Sequence, residues 1–208
     1  MKIYLIRHGQ TDWNIQGKIQ GSHDIPLNET GRRQAELLAK GMDSRPVLRI
    51  FTSTLTRAME TAEKIRSRQK VEICSMPQLI EVEFGKWEGM TWDEIMEAYP
   101  EEYKRWALCP DEASPPGGEN RDQVLNRCVW AVKEILRITG GREDVAIVSH
   151  GATIAYLVSY MMQNHPEVES IIVENASITT VNYSPLTEDF MLLEMNDISH
   201  MEESKKPL

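Results

Sequence analysis

Two short segments of the chain are apolar without interruption, Ile3-Tyr4-Leu5-Ile6 and Val145-Ala146-Ile147-Val148. A strand with one face in water alternates apolar and polar residues, whereas a strand buried on both faces has no reason to. Both segments therefore predict strands covered above and below. Further strand-like runs lie at 48–52 and 71–74, and the pair 178–183 and 190–193 flanks a turn at Ser184-Pro185. Helical stripes fill the gaps. They are Ala35, Leu38, Ala39 and Met42; Leu55, Ala58, Met59, Ala62 and Ile65; and Val124, Cys128, Ala131, Val132, Ile135 and Leu136, closed by Gly140-Gly141. Thr91-Trp92-Asp93-Glu94 is a capping-box pattern opening a helix with Trp92, Ile95, Met96 and Tyr99 on its apolar face, which Pro100 ends. Residues 154–162 are apolar nearly all round and predict a deeply buried helix. This alternation predicts an α/β fold, a mainly parallel central sheet flanked by helices.

A length of 208 residues fits one domain, 1–208, better than two. Residues 108–118, with Pro110, Pro115, Pro116, Gly117 and Gly118, are too short for an interdomain linker and read as a loop over a site. The net charge of −9 argues against nucleic acid, which needs a clustered basic surface. Two segments can carry the whole imbalance: 81–103 holds eight acids against Lys86, and 186–208 holds six against Lys205 and Lys206. Cys74, Cys109 and Cys128 are odd in number and widely spaced, as in a reducing compartment. The first apolar run is too short for a signal peptide, and 154–162 falls short of a membrane span. These features point to a cytoplasmic protein, with neither membrane nor nucleic acid as partner.

Both uninterrupted strands end alike, in Arg7-His8-Gly9-Gln10-Thr11 and Ser149-His150-Gly151-Ala152-Thr153. Ligands of open α/β sheets bind beyond the carboxyl ends of strands, so two of the five histidines fall where a ligand would sit. The glycine after each is expected to let the backbone turn sharply and approach that ligand. Arg57 falls in the first turn of a helix, where a cation is unfavourable unless an anion is present. Arg7 directly follows a buried strand and equally needs a partner. Two arginines and two histidines at one sheet edge suit a phosphate, which Arg grips with two parallel hydrogen bonds. A neutral imidazole can attack phosphorus, and an acid must then protonate the leaving oxygen. Glu81, Glu83 and Glu88 are all near enough in sequence to serve, and spacing does not choose among them. His23, His165 and His200 have no metal-ligand spacing, and Thr11 and Thr153 read as helix caps.

The run Arg7-His8-Gly9-Gln10-Thr11-Asp12-Trp13-Asn14 resembles the signature of the histidine phosphatase superfamily, the phosphoglycerate mutase-like family. The likeness continues, in the family's order, through Gln20-Gly21, Pro26 to Gly31, Thr52-Ser53, Arg57 to Ala62, Glu81 to Gly89, Gly117-Gly118-Glu119 and Ser149-His150-Gly151. It implies a three-layer phosphoglycerate mutase-like fold with a helical and loop insert at about 86–119. It implies that His8 becomes phosphorylated and that Glu81 is the proton donor. Arg7, Arg57 and His150 would hold the transferring phosphate, and Asn14, Gln20, Gly21 and Gly151 would line phosphate or substrate. The implied enzyme is a phosphoric monoester hydrolase of the histidine acid phosphatase type, acting on small phosphorylated metabolites without cofactor or metal, as a monomer or homodimer. A cofactor-dependent mutase is the alternative, but Val82-Glu83-Phe84-Gly85 stands where mutases carry Arg-His-Tyr-Gly after the glutamate. Gly85-Lys86-Trp87-Glu88-Gly89 is more like broad-specificity and α-ribazole-phosphate phosphatases. A non-catalytic phospholigand-binding module is the reading from another class. The acidic 81–103 segment is expected to border the pocket and to disfavour highly charged substrates.

Overall fold

Alternate residues of the first strand serve two different cores. In the computed structural model, which describes residues 1–110, 112–163 and 171–202, strand β1 (Lys2–Arg7) sends Ile3 and Leu5 to one side and Tyr4 and Ile6 to the other. Ile3 and Leu5 share a core with helices α6 (Arg121–Thr139) and α7 (Gly151–Met161). Tyr4 and Ile6 share one with α2 (Glu29–Gly41) and α3 (Thr56–Gln69). The result is a three-layer arrangement of helices, sheet and helices, as expected.

The sheet has six strands in the order β3-β2-β4-β1-β5-β6. Strands β2 (Arg49–Thr52), β3 (Glu72–Ser75) and β4 (Val145–Ser149) run parallel to β1. The late hairpin, β5 (Ile178–Ser184) and β6 (Asp189–Asp197), adds an antiparallel edge, and β6 is longer than its apolar run implies. Register fixes the site: Arg7 lies beside Ser149, and Thr52 beside Val148. Three parallel strands therefore deliver His8, His150 and Ser53 side by side at one edge.

Among the described residues the remaining α-helices are the one-turn α1 (Asp12–Ile15), α4 (Trp92–Ala98), α5 (Pro100–Leu108) and α8 (Ser199–Glu202). Thr91 caps α4 with the expected reciprocal box. Pro100 does end α4, but it also opens α5, which the sequence reading omits; proline suits a first helical position, where its missing N–H is no loss. Of the apolar face assigned to α4, Ile95 is buried while Trp92 and Met96 are about 40% exposed. Trp87, Ile95 and Ile19 form a small separate core under Phe84, Tyr103 and Trp106. Residues 84–106 are thus anchored by their own cluster beside the cleft. His165 and Lys205 and Lys206 lie outside the described residues.

Candidate active site

A cleft of about 400 Å³ opens above β1 and β4. Arg7, His8, Asn14, Gln20, Gly21, Arg57, Glu81 and Gly151 line it. His150 stands behind, wholly buried, with its ring centroid 5.1 Å from that of His8.

The backbone of His8 is pinned. Its N–H donates to Ser149 O at 3.0 Å, and its carbonyl accepts from Ala176 N and from Asn175 Nδ2, both at 3.1 Å. Its Nδ1 is 2.6 Å from Gly9 O. A carbonyl only accepts, so Nδ1 carries the hydrogen and Nε2 keeps its lone pair. Burial, then Arg57 and Arg7, push the His8 pKa well below the ordinary histidine value. The ring is therefore neutral at neutral pH, the state in which Nε2 can attack.

Arg57 is fully buried at the start of α3. Its Nε donates to His150 Nδ1 at 3.1 Å, Nη1 to His23 O at 2.6 Å and Nη2 to Gly21 O at 2.9 Å. Since His150 Nδ1 accepts, its Nε2 carries the hydrogen and donates to Ser53 Oγ at 2.8 Å. Both nitrogens of His150 are thus occupied within the protein, so it buttresses Arg57 instead of facing the cleft as expected. Burial, followed by Arg57, His8 and Arg7, keeps His150 neutral too. Arg7 donates through Nη1 to Val173 O, and its Nε is buried without a hydrogen-bond partner among the described residues. Burial lowers the pKa of both guanidiniums, that of Arg57 to about 10, yet both stay charged at neutral pH. A buried and a half-buried cation lining one cleft call for an anion between them.

Glu81 sits at the amino end of α7. Its Oε1 accepts from Val82 N at 2.9 Å and Thr153 N at 3.0 Å, and its Oε2 from Ala152 N at 3.3 Å. The Thr153 hydroxyl is 2.6 Å from Ile80 O and 3.1 Å from Glu81 Oε1. Thr153 is therefore not the helix cap expected of it: α7 begins at Gly151 after His150, and Thr153, in its first turn, holds the Glu81 loop instead. Asn14 Oδ1 accepts from Thr11 N, Thr11 Oγ1 and Asn175 Nδ2, which leaves its own N–H groups for the cleft it lines. Thr11 is the cap of α1, as expected.

The reading of the two glycines is corrected. Neither Gly9 nor Gly151 has a positive φ. Gly9 is required by packing, because a Cβ there would run into the carbonyl of Gly31 in α2. Gly151 is the first residue of α7, lying against the Arg7 guanidinium.

Sequence reasoning passed over two residues that position the site. Asn175, just before β5, ties His8 to Asn14, and nothing in its surroundings marks it. Glu88, left there among three candidate acids, is buried and away from the cleft lining. Its Oε1 accepts from Ser22 N and Phe84 N, both at 3.0 Å, and its Oε2 is 2.6 Å from His23 Nδ1. It therefore clamps the loop whose Gly21 and His23 carbonyls hold Arg57. Gly21 has φ +49°, and a side chain there would strike Glu88. The 81–103 segment borders the cleft through Glu81, Val82, Phe84 and Trp92, so it presents mostly apolar groups and one acid.

Among the described residues no group of three or more His, Cys, Asp or Glu side chains is placed to hold a metal ion, and no helix is long and apolar enough to cross a membrane. The family model for the histidine phosphatase superfamily (branch 1) matches residues 3–197. Phosphoserine phosphatase 1 of Hydrogenobacter thermophilus is 35% identical over 72% of this chain and 71% of its own length. Among solved structures, YhfR of Bacillus stearothermophilus aligns with TM-score 0.87 and 32% identity over 97% of this chain and 99% of its own. The α-ribazole phosphatase of Shigella flexneri aligns with TM-score 0.85 and 25% identity over 95% and 96%.

Proposed function

The chain belongs to branch 1 of the histidine phosphatase superfamily, and on that premise we propose that this phosphatase of small phosphorylated metabolites works in two steps through His8 and Glu81. His8 Nε2 attacks phosphorus, the bond from phosphorus to the ester oxygen breaks, and Glu81 gives its proton to the leaving alkoxide. Water then attacks phosphohistidine, Glu81 takes a proton from it, the N–P bond breaks and inorganic phosphate departs. Arg7 and Arg57 neutralise the equatorial oxygens, where charge matters most in phosphoryl transfer, and Asn14 donates its N–H groups to them. His150 keeps Arg57 aimed, and Gln20, Gly21 and Gly151 shape the walls.

The single observation that carries this reading is the buried His8 ring, its Nδ1 hydrogen committed to Gly9 O and its Nε2 left bare, in a cleft lined by the buried Arg57 and the half-buried Arg7. The finer reading is an enzyme of the histidine acid phosphatase type, needing no cofactor, working in the cytoplasm as a monomer or homodimer, with neither nucleic acid nor membrane as partner. The unpaired Cys74, Cys109 and Cys128 accord with that location.

Leaving-group dependence tests the acid. With Glu81→Gln, kcat/KM, which runs only as far as departure of the alcohol, should fall by at least about 100-fold on alkyl phosphates, while esters of acidic phenols lose much less, because their alcohols leave without a proton. An equal loss on both classes would remove Glu81 from the role of proton donor.

A further inference from the structure

Residues 173–177, the strip that leads into β5, hold both Arg7 and His8. Val173 O accepts from Arg7 Nη1, and Ser177 O accepts from Arg7 N at 3.3 Å. Asn175 Nδ2 and Ala176 N each donate to His8 O at 3.1 Å. The strip is strained: Ala176 has φ +57°, a left-handed conformation that alanine keeps only where its surroundings impose it. Val173 is buried, but its neighbours Ile172 and Glu174 are exposed, so packing alone leaves this end of the strip loosely held.

Asn196, near the end of the edge strand β6, supplies the missing restraint. Its Oδ1 accepts from Glu174 N at 2.7 Å, and its Nδ2 donates to Ile172 O at 2.9 Å. One side chain thereby grips the backbone on both sides of Val173, whose carbonyl receives the Arg7 guanidinium. The strand is shaped to allow this. Between the pairs Thr180–Glu194 and Ile178–Asp197, β5 advances two residues while β6 advances three. The extra residue makes a bulge, the device by which strands re-aim a side chain beside a site. Asn196 has φ +59° there, which asparagine tolerates better than most residues. Its N–H, displaced from the ladder, donates to Thr179 Oγ1 at 3.1 Å, so the bulge leaves no donor unmet.

Resting on the phosphatase reading, we propose that Asn196 is a positioning residue for the phosphate pocket, acting on Arg7 through the carbonyl of Val173. It touches neither substrate nor reacting atoms. Without its grip, Val173 is free to shift, and the Arg7 guanidinium shifts with it. The loss should therefore fall on groups that carry a phosphate, including phosphate itself.

Phosphate release from phenyl phosphate by the full chain, with inorganic phosphate as inhibitor, tests this. Asn196→Ala and Asn196→Gly should each lower kcat/KM about tenfold and raise the inhibition constant of phosphate about fivefold or more. Glycine takes φ +59° without strain, so an equal effect in the two assigns it to the lost side chain and not to the bent backbone. Arg45→Ala is the control for stability alone. It removes the ion pairs to Asp197 and Glu194, at 2.5 and 3.4 Å, that fasten the same end of β6. It should lower the urea midpoint yet leave the inhibition constant within about twofold. Should neither Asn196 variant fold, Asn196→Asp, which still accepts from Glu174 N but cannot donate to Ile172 O, is read by the same constants and should shift them in the same direction. Parent constants in a folded Asn196→Gly (or, failing that, in Asn196→Asp), or an equal rise in Arg45→Ala, overturn the proposal. No release by the parent above the His8→Ala background would instead overturn the phosphatase reading, and this one with it.

Discussion

At the scale of single residues, the site works by denying polar groups their usual freedom. His8 has one ring nitrogen committed and one bare, and Asn14 has its oxygen saturated and its N–H groups left for the cleft. Arg57 is aimed by the carbonyls of Gly21 and His23, which Glu88 holds in turn. Glu88 therefore acts as a positioning residue. Glu88→Ala should raise the inhibition constant of inorganic phosphate about tenfold or more and raise KM in step. Glu88→Gln can still accept from Ser22 N and Phe84 N, so it should stay within about threefold of the parent. Equal losses in both would assign the effect to the charge of Glu88 instead of its grip on the loop.

At the scale of elements, legibility in the sequence followed the strength of the local signal. Ile3-Tyr4-Leu5-Ile6 and Val145 to Val148 could only be strands buried on both faces, and they are. The stripe Ala35, Leu38 and Ala39 of α2, with Met42 just past its end, is buried throughout. Helix α5 went unread because its apolar residues, Tyr103 and Trp106, serve a satellite core instead of the sheet, and because Pro100 reads equally as a stop and a start. Within the site, residues placed by strand ends were visible, whereas Asn175 depends on how the hairpin returns beside β1, a long-range fact. So does the demand for glycine at 9 and 31, where α2 abuts the His8 loop. A Cβ at Gly31 would collide with the carbonyl of Gln10. Gly31→Ala should therefore lower kcat/KM by about tenfold or more by shifting the His8 loop, along with a stability loss of about 1–3 kcal/mol. Wild-type turnover in that variant would show the loop to be indifferent to α2.

At the scale of the whole molecule, the charge of −9 and a phosphate substrate are compatible because Arg7 and Arg57 converge while most acids face solvent. Burying the site has a cost in acid. Burial chiefly holds His8, His150 and His200 below the ordinary histidine pKa. Below about pH 6.5 the unfolded chain binds protons at these positions that the folded one does not, so stability is fully present above that pH and lost as it falls. The loss approaches about 1.4 kcal/mol per pH unit for each of His8 and His150, which are held well below that value, and is smaller for His200. Urea midpoints should be level from pH 7 to 8 and drop from about pH 6.5 downward. Midpoints flat to pH 5 would mean that the rings are not held neutral.

The central claim is that phosphate passes through His8. Rapid quenching during turnover of a ³²P-labelled phosphomonoester, followed by peptide mapping, tests it directly. Acid-labile, alkali-stable label should appear on the peptide containing His8 and vanish in His8→Ala together with activity. Turnover by His8→Ala at the parent rate, or label on any other residue, would contradict it.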